Sequence, residues 1–220
     1  MQRQSRVPFI LLSSLIIIFA VWATLVATNS SVIQSFDQNI IAALTNTNAG
    51  MIKFTQIFTT FANTSTMVVL TLIFALLMLA LKKWRYSLLF VATMIFSNLT
   101  NTIIKNSIQR ARPAVKHLVH AGGYSFPSGH SIASMMIALL LIIFLHQYYG
   151  QHRWAKPLAI IIGLFPFVIG FTRIFLHVHY PSDVFGGFLL AFIFATIDVI
   201  ILQKFPNYFQ PAPSLVATQS

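Results

Sequence analysis

Apolar residues in this chain come in long unbroken runs, neither the alternation of half-buried strands nor the one-sided stripe of a soluble helix. The first runs from Pro8 to about Ala27, behind Arg3 and Arg6, about the 20 residues needed to cross a hydrocarbon core. A secretory signal has the same basic start but an apolar region of only about 7–15 residues, so this run predicts a retained span. Five more spans are predicted: the Thr64 region to Leu81, about Leu88 to Ile104, Gly129 to Tyr148, Leu158 to about Thr172, and Val184 to Leu202. Between the first two, residues 29–65 are more polar. There Ile33, Phe36, Ile40 and Leu44, then Met51, Phe54, Phe58 and Phe61, recur at helical spacing with Asn-rich breaks. They predict two amphipathic helices at the interface, either beside a site or as an extramembrane cap.

The expected fold is therefore an all-α integral membrane protein: six transmembrane helices, short interfacial helices between the first and second spans, one domain over residues 1–220, and a mobile tail from about 205. Composition agrees, with 57% hydrophobic and 8% charged residues and a mean hydropathy of +0.79. The chain has no cysteine, which excludes disulfides and thiolate metal sites. A net charge of +11 would point to nucleic acid in a soluble protein. Here the cations fall mostly between apolar runs, so orientation, anionic headgroups and an anionic substrate are the expected partners, and nucleic acid is not.

Six spans put both termini on one side, with Arg3, Arg6, Lys82, Lys83, Arg85, Arg153, Lys156 and Lys204; the positive-inside rule makes it cytoplasmic. The other six cations, Lys53, Lys105, Arg110, Arg112, Lys116 and Arg173, fall on the outer face, where orientation does not explain them. They predict an anion site.

Three segments meet at that face. In the first, Lys105 and Arg112 stand seven apart, on one face if the third helix continues until Pro113 stops it; Asn98, Asn101 and Lys105 also share a face. The second is Tyr124 to His130, where Pro127 and Ser128 suit the first positions of a helix. Its free N–H groups and dipole favour an anion, with His130 in the first turn. The third is Thr172 to Asp183. Asp183 follows His179 by four residues at the start of a helix, where a carboxylate can fix the imidazole tautomer and leave the other nitrogen free to attack.

Lys-x6-Arg-Pro, Pro-Ser-Gly-His and Arg-x5-His-x3-Asp, in this order, resemble the three-part signature of the type 2 phosphatidic acid phosphatase superfamily, which includes soluble vanadium haloperoxidases. The resemblance covers about residues 80–203 by motif and span pattern. One departure is Thr172-Arg173, where the family usually has Ser-Arg. The resemblance implies that His179 is the nucleophile, that Asp183 orients it, and that His130 protonates the leaving oxygen and then activates water. Lys105, Arg112, Arg173, Ser128 and the Gly129 N–H would hold the phosphoryl oxygens, without metal or cofactor. The implied substrate is a membrane lipid phosphate or diphosphate, with polyprenyl diphosphate first, then phosphatidylglycerophosphate and phosphatidate. A bacterial inner membrane is the expected location, with the site facing outward.

Other readings stay open. His177 competes with His179 as nucleophile. His117, His120, His177 and His179 form an alternative metal set. Arg110 and Lys116 touch either a substrate headgroup or surface phospholipid. Asp198, about 9 Å by helical rise from Lys204, reads as a structural pair or a snorkelling acid. Gly163, Gly170, Gly186 and Gly187 read as sites of close helix packing. A non-catalytic phospholipid-binding or transport protein and a vanadate-dependent peroxidase are the alternative functions.

Overall fold

The computed structural model describes residues 6–44, 49–61 and 63–209. Arg3, the Asn-containing break at 45–48 and residues 210–220 of the expected tail lie outside them. The helices are α1 (Val7–Ala27), α2 (Ser31–Ala43), α3 (Ala49–Thr60), α4 (Thr64–Ala80), α5 (Trp84–Ile108), α6 (Gly129–Tyr149), α7 (Ala155–Phe175), α8 (Pro181–Lys204) and α9 (Pro206–Phe209). Five of them, α1, α5, α6, α7 and α8, are each long and apolar enough to cross a membrane.

The sixth span is less regular than the sequence predicts. Helix α4 has 17 residues, short for a crossing. It reaches span length with α3, from which it turns by 48°. The expected interfacial helix of Met51 to Phe61 corresponds to α3, which packs on α7. Helix α2 keeps the separate amphipathic character expected of it. Within the expected tail, 206–209 forms α9, where Arg85 Nη1 donates to the Tyr208 carbonyl at 2.6 Å and Tyr148 Oη to that of Phe209 at 2.8 Å.

Helices α6 and α8 form the centre of the bundle. In each, 56% of the apolar window is buried inside the protein, against 6% in α1, so α1 presents most of its surface to lipid. Met136 and Ile169 lie in the main core with Leu190 and Ala191. The α6–α8 contact is close because Gly187 lacks a side chain: a Cβ there would meet the Ser128 carbonyl at 2.9 Å. Gly186 similarly admits the Phe126 ring, whereas at Gly163 a Cβ would make an ordinary 3.7 Å contact, so no close packing requires that glycine. These contacts bring the starts of α6 and α8 together at one end of the bundle. Trp22 of α1 donates to the Ser182 carbonyl there at 3.0 Å.

Candidate active site

Helix α5 ends at Ile108, and Gln109 caps it in the left-handed region with φ 53°. The expectation that Lys105 and Arg112 share one continuous helix face is thereby corrected. Arg112 reaches the site from an irregular loop, tied down by its own guanidinium. Its Nε donates to the Gly123 carbonyl at 3.1 Å, Nη2 to that of Gly122 at 2.8 Å and Nη1 to that of Val178 at 2.5 Å. Lys105 Nζ donates to the Tyr124 carbonyl at 2.6 Å. The two cations still converge, since both line one cavity with Gly129, His130 and His179.

At the start of α6, Ser128 is the N-cap, and Pro127 precedes it instead of opening the helix. Ser128 is fully buried. Its Oγ accepts from the Ser131 N–H at 3.4 Å and from Ser131 Oγ at 2.9 Å. The Ser128 oxygen thus accepts within its own helix, and Gly129 and His130 line the cavity. A Cβ on Gly129 would stand 3.1 Å from Asn101 Nδ2. His130 Nε2 lies 3.4 Å from Asn63 Oδ1.

His179 and Asp183 straddle the start of α8. Asp183 is in the first turn, where its Oδ2 accepts from the Tyr180 N–H at 2.8 Å and so caps the helix. The same oxygen faces His179 Nδ1 at 3.5 Å and accepts from Ser125 Oγ, which itself lies 3.4 Å from Nδ1. One carboxylate oxygen thus serves a helix cap, a serine and a histidine. The opposite imidazole nitrogen, Nε2, points to Arg112 Nη1 at 3.3 Å. Burial, with Arg112 and Arg173 adding to it, pushes the His179 pKa down to about 4, although Asp183 pulls the other way. The imidazole is neutral at pH 7, so one nitrogen retains a lone pair.

Arg173, at the end of α7, is buried. It donates from Nη1 to Thr59 Oγ1 of α3 at 2.6 Å, while its Nε has no partner among the described residues. The Thr172 hydroxyl donates back to the Ile169 carbonyl at 2.7 Å, within its own helix. His177, in the left-handed region with φ 60°, turns to the Lys116 carbonyl at 3.3 Å. His117 Nε2 lies 3.0 Å from the Pro113 carbonyl. Among the described residues no three His, Asp or Glu side chains stand together as metal ligands.

Arg110 departs most from expectation. Instead of touching surface phospholipid, its side chain is only 13% exposed and pairs with two acids, Asp37 at 2.8 Å and Asp183 at 2.6 Å. The two carboxylates hold its pKa above the ordinary guanidinium value, against the effect of burial. Removing one partner of such a buried pair typically costs about 3–5 kcal/mol. Asp37, Thr59, Asn63 and Ser125 were not singled out in the sequence. Asp37 carried one usable signal: it is one of three acids in a chain of 220 residues.

The cavity is about 530 Å³, within the roughly 300–1,000 Å³ usual for ligand sites. From its cationic end it continues between α4 and α5, past Asn98 and Asn101, along Val68, Leu72, Ile95 and Leu99. Each of these four apolar residues is more than 50% exposed, so the groove opens sideways where lipid would surround the bundle.

Comparisons with known proteins follow the same outline. Phosphatidylglycerophosphatase B of Bacillus subtilis (strain 168) is 36% identical over 98 residues, 43% of this chain and 47% of that protein. Undecaprenyl-diphosphatase BcrC of the same organism is 30% identical over 110 residues, 48% of this chain and 50% of that protein. The chain spans about half the length of these curated relatives. The crystal structure of the first transmembrane PAP2 type phosphatidylglycerolphosphate phosphatase from Bacillus subtilis aligns with a TM-score of 0.78 at 26% identity, covering 92% of this chain and 98% of that one. Aquifex aeolicus LpxE shares the fold, with a TM-score of 0.60 at 22% identity over 74% of this chain and 94% of that one. The profile of the PAP2 superfamily matches residues 86–207, more than half of the chain and the segment that holds Lys105, Arg112, His130, Arg173, His179 and Asp183. The chain is a multi-pass membrane protein and belongs to the PAP2 superfamily.

Proposed function

We propose that this chain is a metal-independent lipid phosphatase that hydrolyses a membrane lipid phosphate or diphosphate through a phosphohistidine on His179. One observation carries the reading: His179 Nε2 faces Arg112 at 3.3 Å, at the cationic end of a cavity whose other end opens laterally among lipid-facing apolar residues. A phosphate seated against Lys105, Arg112 and Arg173 meets the nucleophile, and its lipid tail lies in the groove.

The steps balance within this set. The Nε2 lone pair attacks phosphorus, the bond from phosphorus to the lipid oxygen breaks, and His130 gives that oxygen a proton. Water then attacks the phosphohistidine, His130 takes its proton, and inorganic phosphate leaves with Nε2 restored. Asp183 and Ser125 keep the imidazole in the tautomer with Nδ1 protonated. Phosphoryl transfer demands mainly positioning and compensation of the equatorial charge. Three cations and the start of α6 supply both, and the unpartnered Arg173 Nε is a donor that an anion satisfies. The excess of loop cations at the opposite end of the bundle supports a site facing outward from a bacterial inner membrane, with both termini in the cytoplasm.

The names of the relatives bring phosphatidylglycerophosphate and polyprenyl diphosphate into the substrate class, and phosphatidate shares the chemistry. The test is phosphate release by the purified full chain from each of these three lipids in mixed micelles containing a chelator. Release from at least one of them is expected. Binding without release would make the chain a phospholipid-binding protein, and activity that vanishes with chelator and returns with a metal would overturn the metal-independent mechanism.

A further inference from the structure

Helix α2 lies outside the segment that the family profile matches, yet it sends one acid into the site. Asp37 is 3% exposed and makes three contacts, two to Ser182 at the start of α8 and one to Arg110. Its Oδ1 accepts from the Ser182 N–H at 2.8 Å, and its Oδ2 accepts from Ser182 Oγ at 2.8 Å and from Arg110 Nη2 at 2.8 Å. Arg110 completes a ring. Its Nη1 donates to Ser182 Oγ at 2.7 Å and to Asp183 Oδ1 at 2.6 Å, and its guanidinium lies 4.1 Å over the Tyr180 ring.

We infer that Asp37 is a positioning residue for the reaction, acting through Arg110 to fix the Asp183 carboxylate against His179. The inference rests on His179 and Asp183 having the roles assigned above. A guanidinium is a rigid planar fork, so two carboxylates on its two arms set its orientation. Held in this way, Arg110 occupies Asp183 Oδ1 and leaves Oδ2 to His179, Ser125 and the helix cap. Arg110 also balances one of two buried negative charges that would otherwise repel across Ser182. With one arm unanchored, Arg110 can turn on the Tyr180 face, the carboxylate can rotate, and His179 loses the partner that defines its tautomer. The first amphipathic helix is therefore part of the positioning apparatus even though none of its residues lines the cavity.

A simpler reading is that Asp37 only caps α8. Asp37→Asn separates the two, because an amide oxygen still accepts from the Ser182 N–H while the ion pair with Arg110 is lost. The experiment measures kcat and KM for phosphate release by the full chain in micelles, for D37N, R110Q, R110K and the D37N/R110Q double variant. The expected result is a fall in kcat of about 10- to 100-fold for D37N, the scale of a small misplacement of a reacting group, with KM within about twofold. R110Q is expected to fall at least as far, and D37N to add nothing in the R110Q background. Wild-type kcat in D37N, an effect on KM alone, or additive losses in the double variant would each overturn the proposal. If D37N does not fold, R110K decides. A single ammonium cannot span both carboxylates, so kcat should fall as in R110Q, and a wild-type value would overturn the proposal. His179→Ala is measured alongside. Turnover in that variant would refute the assigned roles themselves, whereas a dead H179A beside an unimpaired D37N refutes the positioning role alone.

Discussion

Helix α8 carries a buried carboxylate near each end, and the two have different surroundings. Asp183, in the first turn, is 0% exposed and takes donors from Arg110, Ser125 and the Tyr180 backbone, with His179 at 3.5 Å. Asp198, about 22 Å further along by helical rise, is 1% exposed. Among the described residues it accepts only from Thr93 Oγ1, at 2.8 Å, and its second oxygen has no partner. Both are acids inside a membrane protein, which by itself marks a functional candidate. What separates them is the donor set. Asp183 stands in a network that shares one guanidinium with Asp37, beside an imidazole whose far nitrogen faces a cation. Asp198 has a threonine and no nucleophile. Of the two readings of Asp198, a structural pair or a snorkelling acid, its burial fits the first, with Thr93 as the partner, while Lys204 Nζ sits 5.6 Å over the Phe205 ring. In the proposed mechanism, an acid inside a span takes part by virtue of what it orients.

The largest test of this contrast is His179→Ala, which is expected to abolish phosphate release while the protein remains folded, as judged by its thermal unfolding in detergent. Near-normal release would remove the reason for treating the Asp183 end as the active end. Next comes Asp183→Asn, which keeps the shape but can present an N–H to His179 and favour the wrong tautomer. A drop in kcat of about 10⁴-fold is expected, by analogy with the orienting acid of a catalytic triad; a loss of tenfold or less would mean that Asp183 serves the helix cap more than the histidine.

A smaller and graded effect concerns pH. Because burial holds His179 down to about 4, the neutral imidazole that the proposed attack requires persists well below the ordinary histidine value of about 6.5. The acid limb of kcat/KM, corrected for the ionisation of the substrate, is expected near pH 4. Activity is present above that pH and falls about tenfold per unit below it. A limb near 6.5 would show that a different, ordinary imidazole controls the rate. The smallest effect is expected at the other end of α8. Asp198→Asn retains an acceptor for Thr93, so turnover should stay within about twofold and stability within about 1 kcal/mol. A loss comparable to that of Asp183→Asn would collapse the distinction between the two acids.

Much of this was legible in the chain itself. Five spans follow from run length, and the three segments that converge on the cavity follow from the motif residues and their shared membrane face. The rest depended on closure in three dimensions. Arg110 sits in a basic loop beside Arg112 and Lys116, and composition cannot distinguish a cation that pairs with distant Asp37 from one that meets phospholipid. The turn that frees Arg112 from α5 is made by Gln109 in a left-handed conformation, where glycine or asparagine would have signalled it. Ser128 met the helix-capping expectation, and both of its side-chain hydrogen bonds there are ones it accepts, which leaves its own O–H as a donor. The helical spacing of Met51, Phe54, Phe58 and Phe61 likewise carries no sign that Thr59 on the same helix accepts from Arg173 of α7.

The groove between α4 and α5 has a kinetic consequence. If substrate arrives through that lateral opening, the enzyme samples a two-dimensional solution, and the concentration that governs its rate is the mole fraction of lipid phosphate in the leaflet. Diluting vesicles with buffer should then leave turnover almost unchanged, whereas diluting the substrate with inert phospholipid at constant total substrate should slow it. The two products would also part by phase, the dephosphorylated lipid back into the leaflet and inorganic phosphate into water, so that neither obstructs the exit of the other.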